Sequence, residues 1–246
     1  MRYFLELSYD GTRYHGWQIQ DNAISVQQVL NQSLSTILRS ERSTVGSGRT
    51  DAGVHALVQV AHFDFEDHID EGLVRHLNNL LPGDIAIRKC FKARESAHAR
   101  FDAISRSYIY KIHCSKNPFS ENKSYFYSRS LDMGAMDRCS KVLLQWTDFE
   151  SFSKVHTDVK TFDCVISEAR WESYNDEINF YVSANRFLRG MVRAMVGTML
   201  MAGEGKINAG QFRQILMSKD RRQAGRSVPA CGLYLAQVKY PKEIYI

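Results

Sequence analysis

Tyr3, Leu5, Leu7 and Tyr9 fall on one face of an extended segment, so residues 2–9 read as a strand. The following YDGTRYHGW is dense in turn-forming residues. Ser25 stands three residues before Gln28, the spacing of a capping box, and Val26, Val29, Leu30, Leu34, Ile37 and Leu38 repeat behind it at helical intervals. A glycine-rich loop, Gly46–Gly53, precedes a strand over Val58–Phe65. Leu73, Val74, Leu77, Leu80 and Leu81 line a helix that Pro82-Gly83 stops, and Ile85–Phe91 extends again. In the second half the same reading predicts strands at Arg106–Cys114, Cys164–Trp171, Ile178–Ala184 and Leu233–Tyr240, with helices at Met136–Leu144, Arg186–Met201 and Gln211–Met217. Each half mixes both element types, which predicts an α+β fold of two subdomains, residues 1–100 and 101–246, with no Pro- or Gly/Ser-rich linker between them.

Composition narrows the class. The chain has 246 residues, 44% hydrophobic and 24% charged, as in a globular protein. No run approaches the ~20 apolar residues of a membrane span. The opening MRYFLELSYDG carries Glu6 and Asp10 early and lacks the long apolar run of a signal peptide. Five cysteines, odd in number and without a CxxC pair, suggest neither a disulfide framework nor a thiolate zinc site. A reduced, cytoplasmic location is expected. The net charge is +5, yet residues 88–116 alone carry Arg88, Lys89, Lys92, Arg94, Arg100, Arg106, Lys111 and Lys116 against Glu95 and Asp102. Phe91, Phe101, Tyr108 and Tyr110 are interleaved with these cations. The combination fits RNA, with phosphates neutralised and bases stacked, and equally a solvated strand pair with its aromatics in the core.

Several chemistries fail on their own residues. HExxH is absent, and nothing at usable spacing joins His55 and His62 as a metal ligand set. The loop Gly46-Ser-Gly-Arg-Thr-Asp-Ala-Gly53 lacks the Lys-Ser/Thr end of a P-loop, and Asp51 stands where a dinucleotide fingerprint needs glycine. A strand ending Asp-x-Asp-Gly-Thr would suggest a haloacid-dehalogenase-type phosphotransferase, but Ser8 occupies the nucleophile position before Asp10-Gly11-Thr12, so no aspartyl-phosphate can form. Asp51 itself, between Gly48 and Gly53 and two residues after Arg49, is either a carboxylate presented to a ligand or a turn cap paired with a neighbouring arginine. In ANRFLRGMVRAMVGTML, residues 184–200, Leu188, Met191, Val192, Met195, Val196 and Met199 mark a buried face. Arg186, Arg189 and Arg193 would border that face within about 60° on a helical wheel. Such a stripe either lines a cleft or is an ordinary exposed basic face.

Three segments change this balance. SYDGTRYHGWQ (8–18), GRTDAGVHA (48–56) and FLRGMVRAMVG (187–197) resemble the signature segments of the TruA family of tRNA pseudouridine synthases. LPGDIAI (81–87), HARFDA (98–103), SYIYKI (107–112) and GLYL (232–235) resemble that family in the same order. The resemblance implies a pseudouridine synthase fold: two ferredoxin-like, RNA-binding-type subdomains whose sheets meet at a central catalytic cleft. It implies a homodimer that isomerises uridine in the anticodon arm of tRNA, typically at tRNA positions 38, 39 and 40, without metal or organic cofactor. By the same resemblance Asp51 would be the catalytic aspartate and Tyr108 the tyrosine that stacks on the target base. Arg193 would be the arginine paired with the aspartate, and Arg49 the one that helps extrude the base. The stretch 153–163 is less family-like, with Lys154 and Lys160 where many relatives carry arginine. The alternative is a non-catalytic tRNA-binding or folding module, which would have no use for an aspartate–arginine pair.

Overall fold

The alternating burial of β1 (Arg2–Tyr9) comes directly from its sequence, with Leu5 and Leu7 wholly inaccessible and Glu6 and Ser8 partly open. This is a computed structural model that describes residues 1–70, 72–154 and 159–246. Residues 155–158 of the 153–163 stretch therefore lie outside the described residues. The chain divides into two compact units, one formed by Met1–Ser105 with Tyr234–Ile246 and the other by Arg106–Leu233.

In the first unit β1 is followed by α1 (Val26–Leu38), β2 (Val45–Gly46), β3 (His55–Asp64), α2 (Leu73–Leu80) and β4 (Ile85–Ala93). β1 pairs antiparallel with both β3, where Leu5 faces Ala61, and β4, where Leu5 faces Cys90. β2 adds to β3 with Val45 opposite His62. α1 starts where Ser25 Oγ accepts the Gln28 N–H at 3.2 Å and ends at Arg39, whose φ is 53°. Val26, Leu30 and Leu34 are fully buried along it. Truncating either leucine to alanine would cost about 2–5 kcal/mol. β3 begins three residues before the expected Val58. Its burial is nearly continuous, because neighbours flank it on both sides and period-two alternation is lost.

The second unit holds β5 (Ser105–His113), β6 (Tyr125–Phe126), α3 (Met133–Leu143), β7 (Ile166–Tyr174), β8 (Glu177–Ala184), α4 (Met191–Gly203) and α5 (Ala209–Ser218). Its longer strands run β5-β8-β7 with antiparallel pairing, Tyr110 and Trp171 both opposite Phe180, and the short β6 pairs parallel with β5. α3 packs on α4, α5 and β7. α5 begins with a complete capping box between Asn208 and Gln211, a signal present in the sequence. β9 (Leu233–Lys239) returns the chain to the first unit and pairs parallel with β3, His55 facing Tyr234.

The helix expected from Arg186 starts only at Met191. Gly190 precedes it at φ 72° and ψ 1°, a left-handed conformation that cannot continue a right-handed helix backwards. Arg186 and Arg189 therefore lie on the approach and do not share a helical stripe with Arg193. The buried face is as expected at Leu188, Met191, Val192, Met195, Val196 and Met199, but it is wider: α4 is buried almost all round, with only Arg193 and Met201 partly exposed. Gly197 permits this, since a Cβ there would lie 1.9 Å from the carbonyl oxygen of Arg226. Among the described residues, no helix is long and apolar enough to cross a bilayer.

Candidate active site

The loop between β2 and β3 is fixed residue by residue. Ser47 donates through its amide to Val60 O at 2.7 Å and through Oγ to Gln59 Oε1 at 2.5 Å. Gln59, wholly buried, returns its amide to Gly48 O at 3.1 Å. Buried polar groups need such partners, so these bonds specify the loop as well as stabilise it. Asp51 then opens a tight turn in which Val54 N–H donates to Asp51 O at 3.2 Å. Gly53 supplies the positive φ of 77° that this turn requires. Asp51 is half-buried and Arg49 exposed.

The connection from β1 to α1 lies against this turn. Trp17 N–H donates to Thr50 O at 3.3 Å, Gly53 N–H donates to Tyr14 O at 3.2 Å, and the hydroxyls of Tyr9 and Thr50 are 2.9 Å apart. Gly16, at φ 86°, makes the approach possible: a Cβ there would lie 2.2 Å from Thr50 O and 3.0 Å from the Asp51 carbonyl carbon. Trp17 is buried beside Gly46, where a Cβ would meet its indole nitrogen at 2.4 Å.

Asp10 has a local task. Its Oδ1 accepts from Thr12 N–H at 3.0 Å and Thr12 Oγ1 at 2.6 Å, capping the short turn Gly11–Arg13, and lies 3.1 Å from His55 Nδ1. The two β3 histidines are buried hydrogen-bond partners. His55 Nδ1 accepts from Gly11 N–H and His62 Nδ1 from Ala99 N–H, each at 3.1 Å. Burial chiefly, with Arg2 adding, holds His62 down at about 4. Among the described residues no cluster of three or more His, Cys, Asp or Glu is arranged to hold a metal ion. All five cysteines are free thiols.

In the second unit Tyr108 sits on β5 opposite Val182, half-buried, with its ring edge-on to Phe187 at 5.0 Å and 87°. That geometry is the favoured edge-to-face arrangement and orients the tyrosine ring. Phe187 was not singled out from the sequence, because helical periodicity absorbed it into the predicted Arg186 helix. Arg193, in the first turn of α4, donates through Nε to Val228 O at 2.7 Å, and Val228 N–H returns a bond to Arg193 O at 3.2 Å. Next to this link Tyr110 is wholly buried and donates to Pro229 O at 2.8 Å. Burial pushes the Tyr110 hydroxyl far above the ordinary phenol range, with Arg193 opposing. Of the basic segment, Arg88, Lys89 and Lys92 are exposed on β4, while Phe101 stands 72% exposed with Arg100 over its ring at 5.5 Å. Thus Arg49 and Asp51 share one loop of the first unit, and Tyr108, Phe187 and Arg193 belong to the second.

Comparison with known proteins adds the family. The family model described as tRNA pseudouridine synthase matches residues 7–102 and 146–241. The chain is 48% identical to the tRNA pseudouridine synthase A of Bacteroides thetaiotaomicron, covering 99% of this chain and 92% of that protein. It is 48% identical to that of Porphyromonas gingivalis, over 100% and 99%, and 37% identical to that of Acetivibrio thermocellus, over 96% and 98%. With that coverage, and with the mixed sheet pairing and packed helices described above, the chain belongs to the tRNA pseudouridine synthase family, enzymes of the isomerase class, and has its α+β fold.

Proposed function

We propose that Asp51 is the catalytic carboxylate in an isomerisation of uridine to pseudouridine in the anticodon arm of tRNA, at tRNA positions 38, 39 and 40. The working form is a cytoplasmic homodimer. The reaction breaks the N1–C1′ glycosidic bond, turns the uracil and rejoins it through C5. No atom enters or leaves, so the chemistry asks for no redox partner. An ionised carboxylate serves it by either of two routes. It attacks the sugar carbon as a nucleophile, or it takes the C2′ proton to give a glycal intermediate. Arg193 is assigned the cation that favours the ionised form of the carboxylate. Tyr108 is assigned the face on which the extruded uracil stacks, a contact worth about 1–3 kcal/mol. Arg49 is assigned to the space or phosphate left by flipping, a step that costs a few kcal/mol.

The observation that supports this reading best is the Asp51 turn: a half-buried carboxylate on backbone held by bonds on both sides, inside the segment the family model matches. Backbone so fixed sets the point from which the carboxylate is presented before substrate arrives. The test compares wild-type protein with Asp51→Ala on unmodified tRNA, read by carbodiimide adduct mapping. Loss of product with tRNA affinity held within about threefold is expected, because phosphate contacts dominate affinity. Equal pseudouridine yield from both proteins would falsify the catalytic assignment. Tight binding with no product from the wild type would favour the non-catalytic tRNA-binding role.

A further inference from the structure

Asp84, in the turn between α2 and β4, is buried to 13% side-chain exposure and takes three bonds. Its Oδ1 accepts the Tyr14 hydroxyl at 2.7 Å, its Oδ2 accepts Arg13 Nε at 2.7 Å, and Arg13 Nη2 lies 2.6 Å from the same oxygen. Its own carbonyl oxygen accepts Asp10 N–H at 2.9 Å. Tyr14 is 5% exposed, and burial, reinforced by the Asp84 bond, pushes its hydroxyl well above the ordinary phenol range. The Tyr14 hydroxyl is therefore a donor throughout the working pH range. Its carbonyl oxygen is the one that receives Gly53 N–H, two residues after Asp51. A single residue thus joins a buried carboxylate at one end to the Asp51 turn at the other.

We propose that Asp84 is a positioning residue for the Asp51 carboxylate, acting through Tyr14. This rests on the assignment of Asp51 as the catalytic group. Asp84 and Tyr14 touch no reacting atom. They hold the 10–17 segment whose backbone fixes Thr50, just before the turn, and Gly53, within it. Displacing a reacting group by about 1 Å can cost about a hundredfold in rate.

The experiment measures single-turnover pseudouridine formation at saturating enzyme, tRNA dissociation constants by filter binding, and thermal melting. The variants are Tyr14→Phe, Asp84→Ala, their combination, Asp84→Asn and Asp51→Asn. Tyr14→Phe and Asp84→Ala are each expected to lose about ten- to a hundredfold in rate, with tRNA affinity within about threefold of wild type. The double variant is expected to be no slower than the slower single one, because both remove the same bond. Asp84→Asn keeps an oxygen for the Tyr14 hydroxyl and is expected to recover to within about threefold, since exposed Arg13 contributes little. A merely structural role would lower melting in step with rate. Should Asp84→Ala not fold, Tyr14→Phe alone decides, its ring being kept. Wild-type rates in Tyr14→Phe with Asp51→Asn inactive would overturn the positioning role and leave the catalytic assignment standing. An active Asp51→Asn would overturn both.

Discussion

Arg193 and Val228 hold each other from two directions: the arginine Nε donates to the Val228 carbonyl at 2.7 Å, and the Val228 N–H donates to the arginine carbonyl at 3.2 Å. The guanidinium is thereby fixed by its inner nitrogen. A lysine ammonium is a point charge without the planar fork, so it cannot hold Val228 through an inner nitrogen while leaving two outer nitrogens in fixed geometry. Arg193→Lys is expected to lose about tenfold or more in single-turnover rate while the fold is kept, since a charged hydrogen bond contributes about 1.5–3 kcal/mol. A variant within twofold of wild type would remove the arginine from the proposed machinery.

Tyr108 separates stacking from hydroxyl chemistry. Tyr108→Phe keeps the ring and its edge-on contact with Phe187. Tyr108→Ala removes the face and is expected to lose about 1–3 kcal/mol in the transition state, roughly 5- to 150-fold in kcat/KM. The phenylalanine variant is expected to bind tRNA as the wild type does. If alanine were as good as phenylalanine by kcat/KM, the base-stacking role would be lost.

Gly16 offers a test through the backbone. A methyl there meets Thr50 O at 2.2 Å and is forced onto φ 86°. Gly16→Ala is expected to cost about 1–3 kcal/mol in stability. At about 2–4 °C per kcal/mol for a chain of this size, melting falls by several degrees. Because the clash is with the residue before Asp51, residual activity at low temperature is expected to fall further than melting alone explains.

Two acid titrations are expected in the folding stability, at separate pH. His62 has a folded value of about 4, below its ordinary 6.5, because burial disfavours its charged form. The unfolded chain therefore binds the extra proton between those values, and stability drops as pH falls from about 6.5 to 4. His98, whose ring is 4.7 Å away, is depressed in the same direction, also by burial first. Glu204 lies at about 2 rather than 4.5, held down by bonds from Lys206 first, then Tyr127. Its contribution is lost as pH falls from about 4.5 to 2. Urea midpoints measured across pH check both windows. His62→Asn, which keeps an acceptor for Ala99 N–H, is expected to flatten the upper one.

The parts of the fold legible in the sequence are those whose signal is local. β1 alternates, and α1 is periodic behind a serine cap, so their bounds follow from residues 2–9 and 25–38 alone. The start of β3 depends on β9, nearly two hundred residues away, and no local rule carries that. α4 reads too long from the sequence because Leu188, Met191, Val192 and Met195 keep helical spacing across Gly190, where a φ of 72° breaks the backbone. β2 and β6 have two residues each, too few for any period. At the site, Asp51 and its glycines stood out as a loop. Tyr14, Gly16 and Asp84 did not, since what they do comes from bonds and close approaches across 34 to 70 positions of chain rather than from a pattern beside them.

The return of β9 to the first unit has a consequence for biosynthesis. As the polypeptide leaves the ribosome, β3 emerges with β1 and β2 already made, but the His55–Ala56 stretch of its edge waits until Tyr234 and Leu235 have been translated. Until then the nascent chain presents unpaired main-chain groups next to His55 and Ala56, immediately after the Asp51 turn, and such an edge is open to mispairing. Completion of the unit that bears the aspartate is thus coupled to translation of residues 233–239, and a polypeptide released before residue 234 lacks the strand that closes that edge.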